Sequence, residues 1–474
     1  MKKSTYYKTA ILATLGCLML MSCQKSFLTI APVSQASDVN FYKTTTDIAN
    51  AVTGAYAPLQ GATMYQDRFI TMMETRGDNI EDQNPGGNAG RDFNIDRFLA
   101  KSDNTAINDA WGALYNAISR CNITLAHVGV VTDANLRSQY TGELKFLRAL
   151  HYFNIVRLWG AAPLVLTPIS ADQASHLSRN PVADIYTAIE NDLDTAIALL
   201  PAIYPNTADL GRATQGAAKA MLGKVYLTEK KYAQAVTVLK DLLPLNTNPY
   251  KYSLLANIAD VFSVSNKMNA EIIFAVRYNK TIAGQGHALA VYFNQPALDP
   301  KLLASYGASD SRRDLLNTVT VDANDKPVKK YYDTFDPTNL TLGNDYIILR
   351  YADVLLMYAE ALNELSYTGD VTGDAFVYLN AVRSRAGATV YAAADLPDQA
   401  SFRSAVLNER RLEFPLELQR WFDLIRTNTA IDALENSGLT IITIQSFQYL
   451  YPIPQSEIDI MNNPATFPQN QGYN

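Results

Sequence analysis

A hydrolase, a metal site or a covalent catalyst would have to be assembled here from four histidines, three cysteines and 46 acidic side chains. His127, His151, His176 and His287 are scattered and form no His-Glu-x-x-His pair, the spacing that sets two ring nitrogens on one helix face for zinc. His151, beside Tyr152 and Phe153, reads as a packed residue. Cys121 follows Arg120 without a recognisable base and reads as a small buried hydrophobe. No serine-hydrolase elbow or phosphate-binding loop is found, and Gly284-Gln285-Gly286 alone is too short a signal. Asp78, Glu81 and Asp82 could pair for acid–base work or hold calcium, but the glycine and distal glutamate of an EF-hand loop are missing. Carboxylate pairs suited to glycoside hydrolysis stay open among so many acids. The tripeptide Arg76-Gly77-Asp78 is short enough to recur by chance. The expectation is no catalytic residue, no metal and no cofactor.

Binding chemistry is better supplied. The chain has 28 Tyr and 17 Phe against 3 Trp, many of them near Asn, Gln and Asp. A sugar ring has an apolar face and a rim of hydroxyls, so an aromatic ring beside amides and carboxylates orients it without reacting. Two stretches combine these types, Gln60 to Asn108 and Tyr250 to Tyr346. From them, Tyr65, Phe93, Tyr292 and Tyr331 are the stacking candidates, with Asp78, Asn79 and Arg91 as polar contacts. The competing reading is that these tyrosines only pin long loops to a scaffold.

That scaffold is helical. Apolar residues at spacings of three, four and seven predict helices over Asp109 to Val128 and over Gly142 to Trp159, the second stopped by Gly160 and Pro163. Ala217 to Pro244 follows the helix–turn–helix grammar of a tetratricopeptide repeat, with small Gly223 and Ala235 where two helices approach. Weaker copies lie at Tyr186 to Pro201 and Tyr351 to Val382. Unequal insertions argue for helix pairs carrying large loops rather than an even solenoid, and such loops are where binding groups belong. Glu271 to Val276 reads as a strand.

The N-terminus has Lys2, Lys3 and Lys8 before an uncharged run, Thr9 to Ser22, too short to span a bilayer comfortably. It ends in Leu20-Met21-Ser22-Cys23, which resembles a bacterial lipobox and marks Cys23 for lipidation. The expected division is 1–22 signal peptide, 23–38 lipidated tether, 39–245 an N-terminal half with tetratricopeptide-like helices, and 246–474 a C-terminal half. A net charge of −6 without a basic block gives no reason to expect nucleic acid. The densest charged stretch, Glu409-Arg410-Arg411-Leu412-Glu413 with Glu417, Arg420, Asp423 and Arg426, alternates sign. It reads as an ion-pair network between helices in preference to an anion site. Leu418, Trp421, Phe422 and Ile425 are expected on one helical face.

Several of these segments, in this order, resemble the SusD/RagB family of bacterial outer-membrane lipoproteins. They are Cys23, Phe41-Tyr42, Gly142 to Ala149 through Trp159-Gly160, Arg350 to Ala361, Val382 to Gly387, Glu409 to Arg426, and Tyr451-Pro452-Ile453-Pro454 to Ile458. The resemblance implies a predominantly α fold of four tetratricopeptide-like helix pairs with long irregular insertions and minor β structure. It also implies a glycan ligand, an outer-membrane location through the lipid anchor, and a SusC-like TonB-dependent transporter as partner, with binding and no catalysis. A peptide- or protein-binding tetratricopeptide-type adaptor is the alternative role. Leu418 stands where the family pattern leads one to expect a small residue, and Pro415 interrupts the preceding helix.

Overall fold

The computed structural model describes residues 41–243, 245, 247–287, 296–319, 327–334, 341–440 and 442–473. Cys23, Tyr292 and the proposed signal peptide and tether lie outside them. The described chain is predominantly α-helical with four short strands.

Four helix pairs carry the architecture. The first joins α1 (Thr45–Tyr56) to a later helix across the insertion, which holds β1 (Ile80–Asp82) and α2 (Arg91–Asp96). Its partner is α3 (Thr105–His127), and α4 (Ala134–Trp159) pairs with α5 (Val182–Leu199). Next come α6 (Gln215–Thr228) with α7 (Tyr232–Lys240). After β2 (Ile272–Val276), β3 (Pro296–Leu298) and β4 (Tyr346–Arg350), α8 (Tyr351–Leu365) pairs with α9 (Asp374–Ala386). Helices α10 (Gln399–Glu413), α11 (Arg420–Arg426) and α12 (Gln455–Met461) close the chain. Each pair also packs on the next, α4 on α3, α5 on α6 and α7 on α8, so one continuous apolar core joins the two halves.

Local chemistry explains the boundaries. Helix α4 begins eight residues before the sequence expectation, because Asp133 caps it, its carboxylate accepting from the N–H groups of Asn135 and Leu136 at 2.9 and 3.0 Å. Its first two turns are mostly polar, which hid them from a reading based on apolar spacing. It ends at Gly160, with φ 73°. Within the α6–α7 pair, a methyl group at Gly223 would collide with the Leu239 side chain, so glycine sets how closely the helices approach. Strand β2 pairs antiparallel with β4, from Ile272 opposite Arg350 to Val276 opposite Tyr346, and β4 runs directly into α8.

The charged stretch forms the expected ion-pair network, and it is buried. Arg350 meets Glu271, Glu413 and Glu417 at 2.9, 2.6 and 2.8 Å, and Arg312 meets Asp310, Glu409 and Glu413 at 2.7, 2.5 and 2.9 Å. Arg410 bridges Asp353 and Asp423, both at 2.8 Å, tying α8, α10 and α11 together. Between α10 and α11 the expectation fails in one detail. Leu418 precedes α11 rather than sharing its face, and the turn runs through Leu416 and Leu418 at φ 66° and 57°. Glu74 holds this left-handed backbone in place, its carboxylate accepting the N–H groups of Leu416 and Leu418 at 2.7 and 2.9 Å. Both leucines are buried, so packing and these two hydrogen bonds offset the strain that glycine alone would avoid.

Candidate functional site

The two insertions meet through β1 and β3. Ile80 pairs with Leu298, Glu81 with Ala297 and Asp82 with Pro296, and the ladder continues where the Asp299 N–H donates to the Asn79 carbonyl at 2.8 Å. Sequence separation is more than two hundred residues, so this antiparallel contact is what joins the two loops.

Beyond β1 the chain turns outward. The Asp82 carboxylate accepts from the Asn84 N–H at 2.8 Å, and residues 83–86 are exposed. Asn88, Ala89 and Gly90 then run consecutively through the left-handed region, at φ 48°, 56° and 78°. Such a run folds the loop tightly and sends α2 off from Gly90, with Arg91 and Phe93 both half-buried. Arg91 grips Asp92 with Nε and Nη2 at 2.6 and 2.8 Å and stands 3.8 Å from Asp67. Arg97, one turn beyond Phe93, lies 5.1 Å from its ring centroid and pairs with Glu81 at 3.0 Å and Asp96 at 3.2 Å. Burial pushes the Asp96 carboxyl up to about 8, against the opposing pull of Arg97. Burial first, and then the charge of Asp92, also raises the Asp82 carboxyl, although the Asn84 N–H pulls the other way. The face thus offers one aromatic ring, exposed amides at Gln83, Asn84 and Asn88, a half-buried amide at Asn94, and guanidinium–carboxylate pairs.

The residues chosen from sequence divide into four groups. Arg91 and Phe93 share this face. Asp78 and Asn79 lie just before β1 but are buried: Arg420 reaches Asp78 at 2.6 and 2.8 Å, and Arg411 donates to the Asn79 side chain at 3.0 Å. Their polar atoms tie the insertion to α10 and α11, which corrects their assignment as ligand contacts. Tyr65 and Tyr331 are core residues, 4% and 0% exposed. Tyr331 stacks on Tyr346 and Tyr65 packs against it at a tilt, with centroids 5.6 and 5.8 Å away, and neither presents a ring to solvent, so stacking on a ligand is corrected for both. Tyr292 lies outside the described residues.

Sequence reading missed Arg97, Asp92 and Asn94 at this face. Arg97 had a usable signal, its i+4 position from Phe93 on a helical register.

The other candidates for chemistry have structural roles. Acids Asp78, Glu81 and Asp82 do not converge, and among the described residues no group of three metal-ligating side chains forms. His151 is fully buried and burial drives its ring down to about 3, a neutral packed imidazole. The Cys121 thiol is pushed up to about 12 by burial. Arg76 of the Arg76-Gly77-Asp78 tripeptide is caged by Phe98, Trp421 and Tyr451, its guanidinium carbon 4.2, 5.1 and 4.2 Å from their centroids. A separate cleft of about 280 Å³ beside α3 is walled by Tyr115, Ile118, Val165, Ile169, Leu177 and Met461. Two of its polar groups serve the protein, the Tyr115 hydroxyl donating to the Pro163 carbonyl and the Asn122 amide to that of Val165. Ser119, Thr167, Ser170 and Glu457 complete its polar lining.

Comparison with known proteins agrees with this fold. Residues 276–473 match the SusD family model, and residues 26–227 match a model described as starch-binding associating with outer membrane. SusD-like protein P25 of Formosa agariphila is 27% identical over 522 residues, covering 95% of this chain and 97% of its own. The starch-binding protein SusD of Bacteroides thetaiotaomicron is 24% identical over 448 residues, with 75% of this chain and 76% of that one aligned. A laminarin-binding SusD-like protein of known structure has a TM-score of 0.78 at 25% identity, covering 91% of this chain and 100% of its own. With one model matched in each half, relatives aligned along nearly the full length and a shared helix-pair fold, the chain belongs to the SusD/RagB family.

Proposed function

We propose that this chain is a cell-surface glycan-binding lipoprotein that captures an oligosaccharide or polysaccharide for a SusC-like TonB-dependent transporter and does not cleave it. The observation that carries the reading is the β1–β3 pairing, which joins the two insertions beside a face bearing Phe93, Arg91 and exposed amides. Relatives described as starch-binding and laminarin-binding support a glycan as the ligand class. The lipobox at Cys23 supports lipid anchoring, and the family supports an outer-membrane location and the transporter partner.

The test is a polysaccharide panel run against the purified protein by native affinity electrophoresis, with reducing ends assayed in the same mixtures. Retarded migration without new reducing ends is expected. Release of reducing ends from a bound polymer would move the protein to the glycoside hydrolases. Retardation by no polymer, together with binding of peptides, would favour the adaptor reading. Anchoring is tested by metabolic labelling with a fatty-acid analogue, which should mark the wild type and leave Cys23→Ala unlabelled.

A further inference from the structure

We infer that the face formed by β1, the loop 83–90 and α2 selects neutral glycans and rejects those bearing uronate or sulfate groups. This deepens the glycan-binding reading above and rests on it.

The argument is one of charge matching. Of the four arginines of this insertion, Arg76 is buried in its aromatic cage, and the guanidinium groups of the other three are each held by carboxylate. Arg91 is gripped by Asp92 and faces Asp67. Arg97 is shared by Glu81 and Asp96. Arg68 contacts Asp67 and meets Asp109 at 3.1 Å. Behind the face, Arg411 and Arg420 are taken up by Asp78 and Asp299. Around Arg68, Arg91 and Arg97 stand six acidic side chains, the five that pair with them and Asp82; buried Asp96 holds its proton, so the negative charge here comes from the other five.

Among the described residues of β1, the loop 83–90 and α2, an anionic sugar meets no cation without a carboxylate partner. To gain an arginine it must displace a carboxylate from a bidentate or shared pair, and it does so with Asp82 and Asp92 as close neighbours. Like charges at such separations repel strongly where water is partly excluded. Uncharged hydroxyls meet no such barrier. They donate to the Asp82 and Asp92 carboxylates and accept from the amides of Asn88 and Asn94. Selectivity against the charged competitor then comes from repulsion, without any dedicated contact.

The test compares neutral polymers (starch, laminarin, galactomannan) with anionic ones (alginate, polygalacturonate, carrageenan), using the purified full-length protein and titration calorimetry. The neutral polymer that binds tightest is then carboxymethylated, with its hydroxyethylated form as an uncharged control of similar bulk. The inference expects the tightest ligand to be neutral and carboxymethylation to weaken it at least tenfold more than hydroxyethylation. It also expects the carboxymethyl penalty to shrink as salt rises from about 0.05 to about 0.5 M, because screening relieves repulsion. An anionic polymer as tightest ligand, weakening with salt, would overturn the inference and leave glycan binding standing. Failure of every polymer to bind would instead bring down the glycan reading on which it rests. Asp92→Asn, which releases Arg91, should shift the ratio of carboxymethyl to hydroxyethyl affinity upward by about fivefold. A ratio that does not move in a variant with normal melting behaviour counts against the inference.

Discussion

At the scale of single residues, the buried acids make the protein's stability depend on pH in two opposite ways. Asp96 keeps its proton in the folded chain up to about pH 8, whereas in the unfolded chain it ionises near pH 4. The folded form therefore binds more protons across that interval, and stability falls as pH rises through it. Asp96→Asn should flatten the loss between pH 5 and pH 9 by about 1–3 kcal/mol, read from denaturant melts at each pH. A slope identical to the wild type would show that Asp96 is solvated. Asp353 and Glu413 behave in the reverse sense. Burial opposes their ionisation, yet Lys224 and Arg410, and Arg385, Arg350 and Arg312, hold both carboxyls far below the usual range. Their stabilisation is complete above about pH 4–5 and is lost as pH falls below it. None of this was legible from residue types alone. Asp78 and Asn79 sit among loop-like residues and look free in the sequence, but the arginines that bury them come from positions more than three hundred residues away.

At the scale of elements, the sequence was most informative where one local pattern decides the structure. The close helix pair at Gly223, the stop at Gly160 and the strand at Ile272–Val276 all follow from neighbours within a turn or two. Gly223→Ala should cost about 1–3 kcal/mol by forcing α6 and α7 apart, measured as a shift in the chemical-denaturation midpoint. A neutral effect would mean the pair can separate freely. The α10–α11 turn shows a different limit. Leu418 and Pro415 stand out in the sequence as a departure from the family pattern, but the compensation is Glu74, a residue with no sequence signal linking it to that turn. Glu74→Ala leaves two buried N–H groups without partners and should destabilise by about 2–5 kcal/mol. Tyr65 and Tyr331 show the same limit from the side of the site. Their residue type suits a sugar platform, yet both pack on Tyr346 in the core, a three-body contact across 281 residues that no local pattern encodes.

At the scale of the whole molecule, the helix pairs and the buried ion network share one continuous core that carries the insertion face. Removing one member of that network, as in Arg350→Met, leaves the buried carboxylates of Glu271, Glu413 and Glu417 only Arg385, Arg312 and Lys330 as partners and should cost about 3–5 kcal/mol in an unfolding titration. No helix of the described residues is long and apolar enough to cross a membrane. A membrane location under the proposed function therefore depends on Cys23 and on the partner barrel, and mild detergent extraction followed by affinity capture should recover that barrel in near-equal amount. The central claim is that the face beside the β1–β3 pairing binds the glycan. Its most direct test is titration of the best polysaccharide ligand against Phe93→Ala and Arg91→Ala, with melting temperatures measured on the same samples. The account predicts a loss of affinity of roughly tenfold or more for Phe93→Ala, and a smaller loss for Arg91→Ala, with melting temperature little changed. Wild-type affinity in both variants would contradict it and move the binding site to another surface of the molecule.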